Sequence, residues 1–179
     1  IAPCISLKGQ EGMYLYPDLL ETLRSLPWFV ELKPAQLKKL AGIASVHEAS
    51  VGQTLFCEND RDDGLYILLD GQVELHMRIP GRGERTIFTA EPLDIIGWSS
   101  MTQQIVRERT ATAIVTRPTT LLEFNGTALR HLCDEDHDLG YIIMRRIANV
   151  VSSRLLTIRL ALMEAIVQRD ALRQPVTME

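Results

Sequence analysis

The sequence has no apolar run approaching the ~18 residues of a membrane span, which argues against a transmembrane protein. It has no excess of positive charge. Its 19 Lys and Arg face 23 Asp and Glu, for a net charge of −4, and that counts against a protein that coats nucleic acid. Cysteines are few: Cys4, Cys57 and Cys133 are odd in number, far apart and without C-x-x-C spacing. Such spacing disfavours a disulfide framework or a zinc ribbon and points to a reducing, cytoplasmic compartment. The opening IAPCISLKGQ has no charged segment followed by an apolar core, so no secretory signal is read there; it also lacks an initiator Met, which suggests a processed chain or a fragment. His47, His76, His131 and His137 form no H-x-H pair. Neither a metal site nor a catalytic site is expected from them. Cys133 and His137 flank Asp134, Glu135 and Asp136, a run that reads as a polar loop between helices.

What is present falls into zones. Residues 1–16 read as an N-terminal extension. From Pro17 and Asp18, a plausible N-cap, the segment LLETLRSL places Leu19, Leu20, Leu23 and Leu26 on one helical face until Pro27 breaks it. Pro34 suits the first position of a second helix, PAQLKKLAGIA, with Leu37, Leu40 and Ile43 or Ala44 as its buried stripe. Residues 45–125 change period. LYILL is followed by Asp70-Gly71, a hairpin signal. In QVELHMRI, Val73, Leu75, Met77 and Ile79 alternate with Glu74, His76 and Arg78. Pro80-Gly81-Arg82-Gly83 is a further turn before RTIFT, and TATAIV and TTLLEF flank Arg117-Pro118. Many short strands at this spacing predict an antiparallel sandwich or jelly roll. GTALRHLCDEDHD then reads as a short helix.

From Asp138 to Arg173 there is no proline and a single glycine, Gly140. Ile143, Ile147, Val151, Leu155, Ile158, Leu162 and Ala165 recur at steps of three and four, which predicts a helix on the order of 50 Å long. It outruns a small domain, so part of its apolar face needs another surface. Residues 1–137 hold 13 basic and 19 acidic side chains, net −6, whereas 138–179 hold 6 basic and 4 acidic, net +2. The division expected is therefore a β-roll with N-terminal helices over 17–137, and a long helix with its tail over 138–179.

Within GQTLFCENDRDDGLYILLDGQV, the residues Gly52, Phe56, Glu58, Asp63, Tyr66, Ile67, Leu69, Gly71 and Val73 carry a pattern of glycine, aromatic, acidic loop, strand and glycine turn. This pattern resembles the front half of the cyclic nucleotide-binding domain of Crp/Fnr-type regulators, and the resemblance extends over about 27–172. It implies a mainly β fold: a double-stranded antiparallel β-roll, or jelly roll, with flanking helices and a long C-terminal dimerisation helix.

The family binds its ligand in a phosphate-binding cassette, to which DIIGWSSMTQQIVRERTATAI (94–114) is similar. On that resemblance Gly97 is the cassette glycine and Arg109 its phosphate-binding arginine, with Thr110 and Ser99 or Ser100 as hydroxyl donors and a short helix at about 99–104. A planar guanidinium suits phosphate oxygens, and backbone N–H groups at a helix start favour an anion. Arg107, nearer the cassette than the long helix, reads as a partner of Glu108 in a loop salt bridge. The family places a ribose-binding glutamate after the glycine, where this chain has Trp98. An indole N–H cannot accept the ribose hydroxyl. Three outcomes stay open: another phosphate- or carboxylate-bearing ligand on Arg109, a cyclic nucleotide (cAMP or cGMP) bound weakly or in another pose, or a pocket filled by Trp98.

The resemblance further implies ligand contacts from the long helix, for which Ser152, Ser153 and Arg154 are candidates, with Thr157 nearby. A stripe at Ile147, Val151, Leu155, Ile158 and Leu162 suits a homodimer. In the family a DNA-binding helix-turn-helix usually follows. Here the sequence stops at QPVTME, so DNA is a partner only if such a domain follows in a longer gene. The expectation is a non-enzymatic, ligand-sensing regulatory module, with a stand-alone sensor, the sensor half of a truncated regulator and a non-binding dimerisation module as its variants.

Overall fold

The computed structural model describes residues 19–102 and 108–171. The N-terminal extension, the Pro17–Asp18 cap, Arg107 and the tail after the last helix lie outside the described residues. Helix α1 (Leu19–Ser25) buries Leu23 and ends before a 3-10 turn at Pro27–Phe29. Pro34 opens α2 (Pro34–Ala41) as its ring and missing N–H predict. The cap is supplied by Gln36, whose Oε1 accepts from the Lys33 N–H at 2.9 Å. Leu37 and Leu40 are buried on the inner face, as the periodicity requires.

Six strands follow: β1 (Ala44–Ala49), β2 (Thr54–Phe56), β3 (Gly64–Ile79), β4 (Gly83–Ala90), β5 (Ile95–Ile96) and β6 (Thr112–Asn125). They form one antiparallel sheet in the order β1-β6-β3-β4, with β2 added to β6 and β5 to β3. This is the antiparallel β-roll with flanking helices expected from the alternation and turns. Phe56, Tyr66, Leu68, Val73, Leu75, Ile96, Ala113, Val115 and Leu121 form its core. The turn at 80–83 joins β3 to β4, closed by the Arg82 N–H on the Ile79 carbonyl at 3.0 Å.

The Asp70-Gly71 hairpin does not form. β3 runs on through these residues, and both of its halves pair with β6. Gly71 sits at φ +92° with register shifts on either side. A Cβ there would stand 2.3 Å from the Pro118 carbonyl oxygen and 2.5 Å from the Thr119 Cα. The two long strands therefore bend at the same level, one at glycine and the other at proline. Buried Thr119 ties the bend, its Oγ1 accepting the Gln72 N–H at 3.0 Å. The local turn chemistry produces a bulge rather than a reversal because pairing to β6 continues beyond it.

Helix α3 (Gly126–Glu135) is capped by Asn125, whose Oδ1 accepts the Ala128 N–H at 2.9 Å. Helix α4 spans His137–Ala171. Cys133 and His137 thus lie on different helices. Cys133 is a free thiol whose pKa burial, with Asp134 and Asp136 near it, raises to about 11. Cys57 is disulfide-bonded, which departs from the expectation of reduced thiols.

The chain divides into two compact units, the first ending at Ile142 and the second beginning at Ile143. The first turn of α4 belongs to the first unit, where Leu139 is fully buried. Along the second unit, Ile143 and Ile147 are buried, while Leu155, Ile158 and Leu162 are 66%, 56% and 59% exposed. No helix among the described residues is long and apolar enough to cross a membrane.

Candidate functional site

β5 ends at Ile96, and Gly97 turns the chain with φ +76° into a 3-10 helix, Trp98–Met101. Only glycine fits: a Cβ at position 97 would lie 2.5 Å from the Gly64 carbonyl oxygen and 2.8 Å from Arg109 Nη1. The short helix expected at about 99–104 is thus displaced to 98–101, and residues 103–107 lie outside the described set.

Arg109 reaches back to this turn. Its side chain is 2% exposed. Nη1 donates to the Gly97 carbonyl at 2.9 Å, and Nη2 donates to the Gly64 carbonyl and to Asp62 Oδ2, each at 2.5 Å. The guanidinium carbon stands 4.4 Å over the Phe56 ring, a cation–π contact in a desolvated setting. Phe56 in turn stacks on Tyr66. Arg109 Nε is buried and has no hydrogen-bond partner among the described residues, and the same holds for Ser100 Oγ.

Asp62 lies between β2 and β3. Its Oδ2 accepts three donors: Arg109, the Gly64 N–H and the Tyr66 hydroxyl, the last two at 3.3 Å. Burial, followed by the charges of Asp62 and Glu123, pushes the Tyr66 phenol far above its ordinary pKa, so it stays a donor. The segment before Asp62 is stitched to the arginine's backbone. The Asn59 N–H donates to the Arg109 carbonyl at 2.8 Å and the Arg109 N–H to the Asp60 carbonyl at 2.9 Å.

The next residue, Asp63, turns the other way. It takes Arg130 at 3.0 Å and both the Thr127 N–H and hydroxyl at 2.6 Å. Arg130 also donates to the Ser100 carbonyl, so this pair clamps α3 to the 98–101 helix. Burial works against the Asp63 anion, but Arg130 and Thr127 outweigh it and hold the carboxyl below the usual range.

The structure therefore brings Gly97, Trp98, Ser99, Ser100 and Arg109 together around one turn. Trp98 is half-buried and Thr110 is exposed. Ser100 is buried, its N–H donating to the Gly97 carbonyl, and the Ser99 carbonyl accepts from the Thr102 hydroxyl. Ser152 and Ser153 are exposed on α4, Arg154 is half-buried, and the Thr157 hydroxyl bonds back to the Ser153 carbonyl. Nothing in the sequence marks Asp62 as the partner of Arg109, or Asp63 and Arg130 as a clamp. The acidic loop was visible as a run of charge, without any mark of which carboxylate faces inward. No group of three or more His, Cys, Asp or Glu able to hold a metal occurs among the described residues.

The family model described as "Cyclic nucleotide-binding domain" matches residues 46–136, just over half of the chain. No curated protein matches. Among solved structures, one from Geobacter metallireducens GS-15, assigned as a cyclic nucleotide-binding protein, is 31% identical. It superposes with a TM-score of 0.68 over 77% of this chain and 98% of its own. The N-terminal domain of a transcriptional regulator from Streptomyces coelicolor A3(2) is 27% identical, with a TM-score of 0.59 over 76% of this chain and 94% of that one. The catabolite activator protein of Thermus thermophilus is 25% identical, with a TM-score of 0.56 over 82% of this chain and 62% of its own. On fold, motif and match together, the chain belongs to the cyclic nucleotide-binding domain family.

Proposed function

We propose that this protein is a ligand-sensing regulatory module rather than an enzyme. It binds a small anionic ligand, or a cyclic nucleotide in an atypical pose, at Arg109, and passes the signal through a homodimer formed along α4. The observation that carries the reading is Arg109 itself: a buried guanidinium at the Gly97 turn, with one N–H unpartnered among the described residues. A desolvated cation with a free donor favours an anion. Trp98 replaces the glutamate that the family sets against the ribose, which favours ligands without that demand. Its half-buried position speaks against the alternative of a pocket plugged by core packing. Ligand binding would favour one packing of the cassette over another, a population shift rather than a reaction.

Calorimetric titration with cAMP, cGMP and a panel of phosphorylated and carboxylate compounds tests the ligand. Arg109→Ala is expected to abolish whatever binding is found, and undiminished binding would remove Arg109 from the role. The dimer rests on Leu155, Ile158 and Leu162, whose exposure leaves an apolar stripe to cover. The paired change Leu155→Glu and Leu162→Glu is expected to yield monomers in sedimentation equilibrium. Protein that is monomeric before the change would overturn the dimer. On this reading DNA enters as a partner only through a further domain.

A further inference from the structure

We propose that Asp62 is a resident anion: it occupies the charge-binding face of Arg109, and an incoming ligand must displace it. The inference rests on the reading of Arg109 as the ligand's anion-binding residue.

The pair does more than aim the arginine. Two backbone carbonyls, of Gly97 and Gly64, already fix both terminal nitrogens of Arg109. The Asp62 carboxylate adds charge to a group that is oriented without it. Asp62 is also the more accessible partner, with its side chain 14% exposed against 2% for Arg109. It is thus the member of the pair that solvent reaches more readily. Its neighbours are anchored independently: Asp60 by its carbonyl to the Arg109 N–H, Asp63 by its carboxylate to Arg130 and Thr127. Among the described residues Asp62 is held at its side chain through Oδ2 alone, so a rotation about its own side-chain bonds removes it without undoing the loop.

Departure of Asp62 releases three donors at one place: Arg109 Nη2, the Gly64 N–H and the Tyr66 hydroxyl. A phosphate oxygen can accept all three, with Arg109 Nε beside them as a fourth donor that has no partner among the described residues. A neutral ligand cannot make the exchange, because it would leave a buried arginine without counter-charge. Asp62 thus sets the specificity of the site: it excludes neutral analogues and raises the affinity threshold for anions.

The test titrates the full chain with cAMP and, separately, with inorganic phosphate, comparing wild type with Asp62→Asn, Asp62→Ser, Asp62→Glu and Arg109→Ala. Removing the carboxylate is expected to tighten binding of at least one probe by roughly tenfold, since a charge-assisted bond no longer competes. Asp62→Glu keeps the charge and is expected to bind no tighter than wild type. Phosphate is also expected to raise the melting temperature of Asp62→Asn more than that of wild type; Asp62→Ser serves if the amide variant does not fold. Suppose instead that wild type binds a probe through Arg109 and the neutral variants bind it equally or more weakly. Asp62 is then a positioning residue, and the displacement proposal is overturned while the reading of Arg109 stands. If no variant binds either probe, both fall.

Discussion

Two consecutive aspartates take opposite assignments. Asp62 pairs with Arg109 at the Gly97 turn; Asp63 pairs with Arg130 and fixes the start of α3. The arginine of the first pair is 2% exposed and that of the second 17%. Each carboxylate accepts a backbone N–H, but the first engages through a single oxygen, whereas the second uses both. The Asp63 pair is thus over-determined, as a structural clamp should be. The Asp62 pair buries its cation and holds its anion through one oxygen, which suits an exchangeable partner.

Breaking each pair at its arginine separates them by magnitude. Arg109→Met is expected to cost about 3 kcal/mol in urea unfolding, because two carbonyls and the Asp62 carboxylate lose a charged donor together. Arg130→Met is expected to cost about 1–2 kcal/mol, since its partners retain Thr127 and partial access to water. Equal losses would mean that the two pairs share one structural task.

The smallest effect is one of pH. The Asp63 carboxyl is held below its ordinary value of 3.8, so its contribution is complete above that value and is lost as pH falls through the lowered one. Asp136 behaves alike, through the Leu139 N–H, then Gln36 and Lys39. Asp63→Asn is expected to lower stability near neutrality and to flatten the acid limb of stability against pH below about 4. An acid limb unchanged from wild type would remove Asp63 from it.

Much of this was legible in the chain. Pro34 marked the start of α2, the residues at 80–83 marked the β3–β4 turn, and unbroken periodicity marked α4. Gly97 and Arg109 were legible through their motif, because their spacing preserves a turn that admits no side chain. Asp70-Gly71 misled because a dipeptide reports local turn preference, while the bulge arises from pairing with a distant strand. Asp62, Arg130 and the pairing of Asp63 were hidden for a related reason. Which of several neighbouring carboxylates turns inward depends on where α3 sets its arginine, and that is known only once the chain has closed on itself. The α4 stripe was legible as a repeat, yet its first members, Ile143 and Ile147, are buried within the single chain.

The crease at Gly71 and Pro118 has a further consequence for how the chain finds its fold. β3 and β6 are far apart in sequence and carry alternating patterns that repeat every two residues, so sliding one along the other by a step of two would keep apolar faces matched. Long-range pairings of this kind are slow to search. The residue of β3 beneath the Pro118 carbonyl, Gly71, has no Cβ, and a Cβ there would clash with that oxygen. A slip of two in either direction would drive Leu69 or Val73 into that carbonyl. One glycine thus acts as a notch that admits a single alignment, and the arginine at position 109, just before β6, reaches Gly97 only when that alignment has been found.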